Sequence, residues 1–398
     1  MPLIATAAAL AALLLGATHP ARADAPAPPA APARPALEPR AYIAFDWVGL
    51  AEDEELRCAF ADTSEGAVDP FAGGSEIRRA RLGVHGSLSP FLYLKCEYDF
   101  GGGDAEAKDV YLELRGVPQV PTIRFGHQHE PLNRLSGSSK YTLFLERALP
   151  GALASGRNTG IRLLASPFQR RVTFSAGGYR DSDGRGAGNE GEGYDLAARA
   201  TGLVRYRDDG RRLIHLGVFY GRQEREAAGV RFRQRAETHY GPYLVDTGVL
   251  AADRVDLLGG EWAVVQGPLS LQAEYLRANV DLKGQDASAL NGYFVAATWS
   301  PTGGHRRYSR SSGAFSGFQP RHSFQPQAGY WGGWVLLARY SHLDLDDGVV
   351  AGGRLSDWTL GINWYLESNV RVMWNYVLAE RDEGGRVQVA QMRIQVQT

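Results

Sequence analysis

Residues 91–100, FLYLKCEYDF, alternate apolar and polar side chains along the whole segment. Successive side chains of an extended strand point to opposite faces, so this segment has one apolar and one charged face. The apolar face holds Leu92, Leu94, Cys96, Tyr98 and Phe100, and the charged face holds Lys95, Glu97 and Asp99. The pattern predicts a strand that separates an apolar phase from a polar one.

The same alternation recurs and predicts sixteen strands. They cover approximately 41–50, 75–88, 91–101, 106–116, 121–128, 158–166, 170–180, 194–206, 211–222, 252–265, 269–281, 290–300, 328–344, 354–365, 369–380 and 387–397. Short joints alternate with mostly longer ones, although the joint 300–327 is long on the short-joint side. A soluble sandwich also alternates, but an even strand number with unequal ends is typical of outer-membrane barrels. We therefore expect an all-β, 16-stranded antiparallel transmembrane β-barrel with short periplasmic turns and long outer loops.

The N-terminus has the features of an export signal. Residues 3–16 are apolar and Ala21-Arg22-Ala23 resembles a cleavage site, although no Lys or Arg precedes Arg22. We predict a signal peptide over 1–23, an extended Pro/Ala-rich linker over 24–39 and the barrel over 40–398. No later run has the ~20 apolar residues of a membrane helix.

Composition narrows the classes of function. The chain has 398 residues, 48 glycines, two cysteines and a net charge of -1, from 43 Lys+Arg and 44 Asp+Glu. The net charge gives no support for nucleic-acid binding, and an anion preference would need local placement of charge. We see no G-x-S-x-G or P-loop motif, and we expect neither an enzyme nor a cofactor. His127 and His129 lack a metal-ligand partner at familiar spacing, and we do not expect a disulfide between Cys58 and Cys96.

A basic stretch, residues 230–235 (VRFRQR), is the strongest candidate for a functional segment. If it is extended, Arg231, Arg233 and Arg235 stand in a row roughly 7 Å apart. Arg222 and Arg225 lie just upstream. A strand here would make the strand count odd, so we place the row in a long loop, 223–251. A solvated basic loop is the plain alternative, and an anion-attracting row in an aqueous pore is the functional one.

A second long loop, 129–157, follows the fifth predicted strand and contains hydroxyls and cations, with a helical turn expected at 140–149. These residues are Ser136, Ser138, Ser139, Lys140, Arg147 and Arg157. A barrel of ~16 strands would otherwise enclose a wide aqueous channel, so we expect both long loops to fold inward and narrow it. Arg79 and Arg81 share the polar face of the second strand, and Asp109 the polar face of the fourth. Guanidiniums bind oxyanions in bidentate fashion, and hydroxyls replace lost water.

Several blocks closely resemble the phosphate-selective porins of the O and P type, in the family's order. They include SEIRRARLGVHGSLSPFLYLKCEYDF, AKDVYLELRG, IRFGHQHEPL, SSKYTLFLERALPGALASGRNTG, VRFRQRAETHY, WGGWVLLARYSHLDL and LGINWYLESNVRVMWNYV. The resemblance implies a trimeric outer-membrane channel with an arginine ladder on an inward loop. By motif position it makes Arg231, Arg233 and Arg235 the ladder, Ser138 and Ser139 a serine pair, and Asp109 the site aspartate. The position of the family's site lysine corresponds to Arg134 or Leu135 in this sequence, so no lysine stands there.

The function expected is passive uptake of anions, phosphate or a related oxyanion, by a homotrimer in outer-membrane lipid. The alternatives are a general diffusion porin with weak anion preference and a structural or adhesive barrel. Near the C-terminus the predicted interface belt comprises Trp358, Trp364, Tyr365, Trp374 and Tyr376. The last strand changes phase between Val387 and Met392 and ends without an aromatic residue, which predicts a bulge or a later strand start.

Overall fold

The computed structural model describes residues 35–60, 69–188, 193–225 and 229–398. The predicted signal peptide and the linker up to residue 34 lie outside this range. Sixteen strands form the barrel: β1 (Ala36–Glu52), β2 (Gly74–Ser87), β3 (Leu92–Asp99), β4 (Glu106–Leu114), β5 (Thr122–His129), β6 (Arg157–Ala165), β7 (Val172–Arg180), β8 (Tyr194–Arg207), β9 (Arg212–Glu224), β10 (Ala252–Gln266), β11 (Leu269–Leu282), β12 (Ser288–Trp299), β13 (Gly333–Asp347), β14 (Val350–Tyr365), β15 (Val370–Arg381) and β16 (Arg386–Gln397). Each corresponds to one predicted strand.

The barrel is closed and antiparallel throughout, with every strand hydrogen-bonded to its neighbours in sequence. Closure joins β1 to β16 in a register from Tyr42 opposite Gln397 to Glu52 opposite Val387. The strand β1 begins earlier than predicted, because residues 36–39 pair with residues 84–87 of β2. The expectation of an unpacked linker up to residue 39 is therefore wrong for its last four residues.

The outer face is apolar, as the alternation predicted. Leu82 and Leu112 are 56% and 37% exposed, whereas Arg81, next to Leu82 in β2, is 3% exposed and points inward. Cys96 lies on the outer face between Val84 and Val110 of the adjacent strands. An outer surface of this kind is stable only against an apolar phase such as lipid.

A register shift in β2 turns an additional arginine toward the lumen. Arg79 is opposite Ala44 and Ile77 is opposite Phe45, so Arg78 is the extra residue of a β-bulge. Bulges place two residues of one strand opposite a single partner residue. Here the side chains of Arg78 and Arg79 both point into the lumen, while Ile77 is exposed on the outer face.

Two predictions about the C-terminal strands are wrong. Tyr365 is not an outward belt residue: it is 3% exposed, points inward and packs against Phe318 with ring centroids 4.7 Å apart. The strand β16 has no bulge and no late start, since its pairing with β15 runs without a shift. Val387 and Val389 face inward because the lumen is apolar at this level. By contrast, Trp358, Trp374 and Tyr376 are exposed on the outer face, as predicted.

Loops meet at one end of the barrel, called the loop end, and short turns at the other, called the turn end. Loop 130–156 contains 3-10 turns at Ser139–Tyr141 and Leu149–Leu153, so the single helical turn expected at 140–149 is replaced by two turns that flank an extended segment. Loop 225–251 contains a two-residue pairing of Arg233–Gln234 with Val245–Asp246. Segment 300–332, at the turn end, forms a hairpin of His305–Ser309 and Ala314–Gln319.

Other short elements lie in the remaining connections. Within the described ranges there is an α-helix, α1 (Glu54–Phe60), and a four-residue turn, Pro167–Arg170, in which Phe168 and Gln169 have left-handed backbone angles. Further 3-10 turns lie at Asp208–Gly210 and Pro326–Ala328, and Phe324–Gln325 pairs with Tyr330–Trp331. None of the described helices is long and apolar enough to span a bilayer.

An apolar cluster holds the two long loops inside the loop end of the barrel. From the loops it takes Leu149, Leu153, Phe232, Leu244 and Val245, and from the inner wall it includes Val255, Leu257, Val280, Leu343, Val377, Val387 and Val389. Burial of apolar surface stabilises by about 25 cal/mol per Å², so packing in this cluster helps to hold the loops in place. It explains why β10–β16 carry valine and leucine on both faces near the loop end.

Candidate functional site: unpaired cations inside the barrel

Loop 130–156 crosses the lumen and binds the opposite wall through its backbone. Asn363 Nδ2 donates to the carbonyl of Leu143 over 2.7 Å, and Asn375 Oδ1 accepts from the amide of Leu145 over 3.1 Å. Arg393, which is 1% exposed, donates to the carbonyl of Leu145 over 2.6 Å. These contacts confirm that the loop folds into the barrel.

A carboxylate fixes the same loop. Glu146 accepts hydrogen bonds from Arg78 Nε over 2.9 Å and from Arg393 NH2 over 2.9 Å. Arg78, Arg393 and Arg79 together hold the pKa of Glu146 far below its usual range, against the opposing effect of burial. Glu146 therefore stays ionised and neutralises part of the arginine charge on this side.

Loop 225–251 also folds into the barrel. Glu237, which is 2% exposed, accepts from Arg339 Nε over 3.1 Å and from Ser341 Oγ over 2.5 Å, both on β13. Gln391 of β16 donates to the carbonyl of Glu237 over 3.0 Å. The loop thus bridges the inner faces of two strands that are not neighbours.

Segment 300–332 enters from the turn end, which explains its unexpected length. Arg199 NH2 donates to the carbonyl of Gly313 over 2.7 Å, and His215 Nδ1 lies 2.7 Å from Tyr308 Oη. The amide of Phe315 donates to the carbonyl of Leu135 over 2.8 Å, so the hairpin meets loop 130–156 inside the barrel. In the described part of the chain, three segments therefore narrow the lumen, where the sequence predicted two.

A cluster of four arginines lies where loop 130–156 faces the wall of β6: Arg134, Arg147, Arg157 and Arg162. The pKa of Arg134 is lowered by burial and by the adjacent charges of Arg147, Arg157 and Arg162. The pKa of Arg147 is lowered by burial and by Arg157. Among the described residues, neither Arg134 nor Arg147 has a carboxylate in ion-pair distance. Their positive charge is uncompensated by direct contact, which favours an anion from solution.

A small cavity lies beside this cluster. Its volume is about 50 Å³, and its walls include Arg134, Arg147, Arg306, Arg339 and Glu274. A site for one water needs roughly 10–15 Å³, so the cavity has room for roughly three or four waters or for an anion with a few heavy atoms.

Asp109 lies on the inner face and binds two cations. Arg157 Nε donates to Asp109 Oδ1 over 3.0 Å, and Lys95 Nζ contacts Asp109 Oδ2. Both carboxylate oxygens are engaged, so the geometry favours Asp109 as the residue that holds Arg157. Asp109 does not pair with Arg81 or Arg124 on the same inner wall, because Arg81 pairs with Asp99 and Arg124 with Glu113.

The predicted serine pair and lysine contribute to a second positive region. Ser139 Oγ accepts from Arg81 NH1 over 3.2 Å, whereas the Ser138 hydroxyl has no hydrogen bond among the described residues. Burial and the adjacent cations Arg40, Lys95 and Arg81 lower the pKa of Lys140 to about 8. Lys140 therefore lies among cations and is charged at neutral pH.

Arg231, Arg233 and Arg235 lie on one side of loop 225–251, while Phe232 between them is buried in the apolar cluster. Arg231 forms an ion pair with Asp246. The guanidiniums of Arg233 and Arg235 lie 3.9 and 3.8 Å from the ring centroid of Tyr243. Stacking holds these two cations without neutralising them, whereas the charge of Arg231 is offset.

Two predicted pore residues are placed elsewhere. Arg222 shares the outer face of β9 with Val218 and Tyr220 and pairs with Asp256 over 2.8 Å, so its assignment to the pore is wrong. Arg225 is 7% exposed and its NH1 lies 2.6 Å from Asp195, which neutralises it. Parity along β9 would have shown the orientation of Arg222, but loop contacts decided that of Arg225.

The described residues contain no group of three His, Cys, Asp or Glu side chains that could hold a metal ion. His127 Nδ1 lies 3.3 Å from Thr159 Oγ1, and His129 Nδ1 lies 3.1 Å from the carbonyl of Glu130. Cys58, on α1, and Cys96 are both free thiols.

Comparison with known proteins gives a consistent result. A protein of Caulobacter vibrioides, described only as uncharacterized, is 27% identical over 80% of this chain and 66% of its own length. Porin O of Pseudomonas aeruginosa is 32% identical over 33% of this chain and 31% of its own length. The chain thus spans no more than about two thirds of either relative.

Among solved structures, the anion-selective porin of Comamonas acidovorans matches with a TM-score of 0.56 at 11% identity, over 92% of this chain and 100% of its own. OmpT of Vibrio cholerae, in a trimer form, matches with a TM-score of 0.54 at 12% identity, over 91% of this chain and 99% of its own. These likenesses concern the fold. The family model "Phosphate-selective porin O and P" matches residues 60–398, and the chain belongs to that family.

Proposed function

We propose that this protein is an outer-membrane porin that conducts small anions passively, with a preference for phosphate or a related oxyanion. The observation that carries the proposal is the pair Arg134 and Arg147, two half-buried loop arginines without a described carboxylate partner, beside a cavity of about 50 Å³. A guanidinium offers paired donors to an oxyanion and keeps its charge at physiological pH.

The cations lie in three groups along the barrel. Arg233 and Arg235 lie on the loop from the loop end, Arg134 and Arg147 lie in the lumen, and Lys140 lies among cations contributed by β1, β2 and β3. Several weak sites in series attract an ion without trapping it, which is how charged pores select and still conduct. We propose that the hydroxyls of Ser138 and Ser139, next to Lys140, donate hydrogen bonds to the anion.

The same proposal includes the assembly and the location. The family membership and the Vibrio trimer form support a homotrimer in the outer membrane, with the loop end toward the exterior and the turn end toward the periplasm. A channel needs neither a cofactor nor catalysis. A general diffusion porin remains the second candidate, favoured if the charges inside the barrel compensate each other at the narrowest point.

Single-channel conductance in a planar bilayer tests the proposal. In a chloride solution with phosphate added, we expect phosphate to block the native current and Arg147→Gln to relieve the block at least about fivefold, corresponding to about 1 kcal/mol. Arg222→Gln is the matched control, because this arginine faces outward and its loss leaves the lumen unchanged. Arg233→Ala measures the separate contribution of the loop row. A current indifferent to phosphate and to Arg147→Gln would assign the protein to the general diffusion porins.

A further inference from the structure

A groove runs along the outer face of strands β8–β12. Its volume is about 660 Å³. Small outward residues form its floor, at Ala200, Gly202, Gly260 and Ala273, and larger ones form its walls, at Leu216, Val218, Trp262, Tyr275, Tyr293 and Val295. The depression is apolar and open along its length, which is the shape an acyl chain fills.

An arginine lies at the loop-side end of this groove. Arg277 follows Tyr275 by two residues on the same face of β11, so the two side chains are about 7 Å apart along the strand. Across the strand, Arg277 is opposite Leu258 and Asn291, neither of which is charged. The guanidinium therefore lies next to the groove, directly beyond its tyrosine walls.

Arg277 differs from several other outward arginines near the loop end, whose guanidiniums are held by carboxylates. Arg254 pairs with Asp256 and Asp281, Arg354 with Asp344, and Arg386 with Glu380. Arg277 is exposed, and its Nε donates to Asn279 Oδ1 over 2.9 Å, but no carboxylate of the described residues lies within ion-pair distance of it. An exposed guanidinium on an apolar outer face binds best to an anion at the membrane surface.

We infer that this groove is a binding site for a membrane lipid with a phosphate headgroup. The acyl chain fills the groove between Gly260 and Ala273, and the phosphate accepts hydrogen bonds from the terminal nitrogens of Arg277. Tyr275 and Tyr293 lie between the two parts, at the level where tyrosines border the headgroup region of a bilayer. The inference is independent of ion conduction, which takes place on the other side of the barrel wall.

A second outer groove provides an internal comparison. It is larger, at about 780 Å³, and is lined by residues of β1, β2 and β14–β16 that include Trp47, Trp374 and Tyr376. Arg386 lies four residues beyond Ala390, on the same face of β16, and is already bound to Glu380; closer to the groove, the Tyr376 hydroxyl donates to Gln388 over 2.5 Å. This groove can accept acyl chains, but among the residues that line it in the described part of the chain there is no cation to bind a phosphate.

Native mass spectrometry of the purified full chain in detergent tests the inference. The probes are dioleoyl phosphatidic acid and dioleoyl glycerol, which share their acyl chains and differ in the phosphate. We expect the native protein to retain phosphatidic acid in preference to dioleoyl glycerol, and Arg277→Gln to lower that retention about fivefold. Arg386→Gln, the matched control, leaves it unchanged.

A second variant tests the groove itself. Gly260 has room for a side chain, since an added Cβ would meet no described atom closer than 3.9 Å, so Gly260→Leu fills the groove without disturbing the wall. We expect this variant to lose retention of both lipids. Two results with the lipids would overturn the inference: equal retention of both lipids by the native protein, or displacement of phosphatidic acid by millimolar inorganic phosphate. Two results with the variants would also overturn it: unchanged retention of phosphatidic acid in Arg277→Gln, or an equal loss of retention in Arg386→Gln.

Discussion

Replacing Asp109 by Asn separates two roles that a carboxylate can have in an anion channel. The carboxylate of Asp109 binds Arg157 and Lys95, and it lies near the unpaired Arg134. If Asp109 holds cations in place, its neutralisation releases their charge to the lumen and strengthens anion binding. If Asp109 accepts a hydrogen bond from a protonated phosphate, the same change weakens phosphate binding.

The size of the effect follows from the charge removed. A unit charge about 6 Å from a bound anion contributes about 0.7 kcal/mol at the dielectric constant of water and about 2.8 kcal/mol at an effective value of 20. Loss of the negative charge should therefore strengthen the block of chloride current by phosphate about 3- to 100-fold. The amide is similar in size and keeps one oxygen for Arg157, which limits the structural disturbance.

The assay is the concentration of phosphate that halves the chloride current in a planar bilayer, for the native protein and Asp109→Asn. Thermal unfolding, followed by the shift of the folded band in electrophoresis, controls for a loosened loop. A half-blocking concentration that rises in a variant of native stability would refute the positioning role. An unchanged value would show that the anion passes far from the cation pair.

Three further outcomes follow from the same structure. Because the pKa of Lys140 is about 8, phosphate block should weaken as pH rises from 7 to 9, and Lys140→Arg should remove that part of the dependence. Replacing residues 305–319 by a short Gly-Ser linker should give about a doubling of single-channel conductance, because the turn-end hairpin occupies the lumen. Burial, and then Asp195, raise the pKa of Glu130 to about 8, so the native state binds the extra proton and local stability falls as pH rises from about 4.5 to 8. Relative to the intrinsic rate of amide exchange, which itself rises with pH, the protection of amides 130–156 should fall over that range, and in Glu130→Gln it should stay constant.

The barrel could be predicted from the sequence because its cause is local. Each strand alternates between lipid and lumen with a period of two, and all sixteen predicted strands are present. The assumption that apolar residues of a strand face the lipid was wrong where the lumen itself is apolar. Val387 and Val389 point inward toward an apolar cluster supplied by distant loops, so their phase gave the appearance of a bulge. The environment inside a filled barrel depends on which loops enter it, and strand periodicity does not contain that information.

In the candidate site, long-range contacts decide which arginines are paired with a carboxylate. The inward folding of the two long loops was predicted, but the choice between a paired and an unpaired arginine was not. Arg225 is neutralised by Asp195, 30 residues earlier, and Arg231 by Asp246, whereas Arg134 and Arg147 have no described carboxylate partner. A row of arginines in the sequence identifies a concentration of charge, and the positions of the carboxylates then decide which of those charges remain.

Paired and unpaired arginines in the lumen therefore have different effects. An ion pair such as Arg393 with Asp46 and Glu146, at 1% exposure, fixes a loop but contributes little field at the passage, because the opposite charges lie within 3 Å of each other. Unpaired and half-buried cations contribute the field, since less solvent screens them and no adjacent carboxylate offsets them. Paired arginines thus hold loop 130–156 across the barrel, and the unpaired arginines of that same loop are the ones we propose to attract the anion. The selectivity of the channel should accordingly respond to Arg134 and Arg147, and its stability to Arg78 and Arg393.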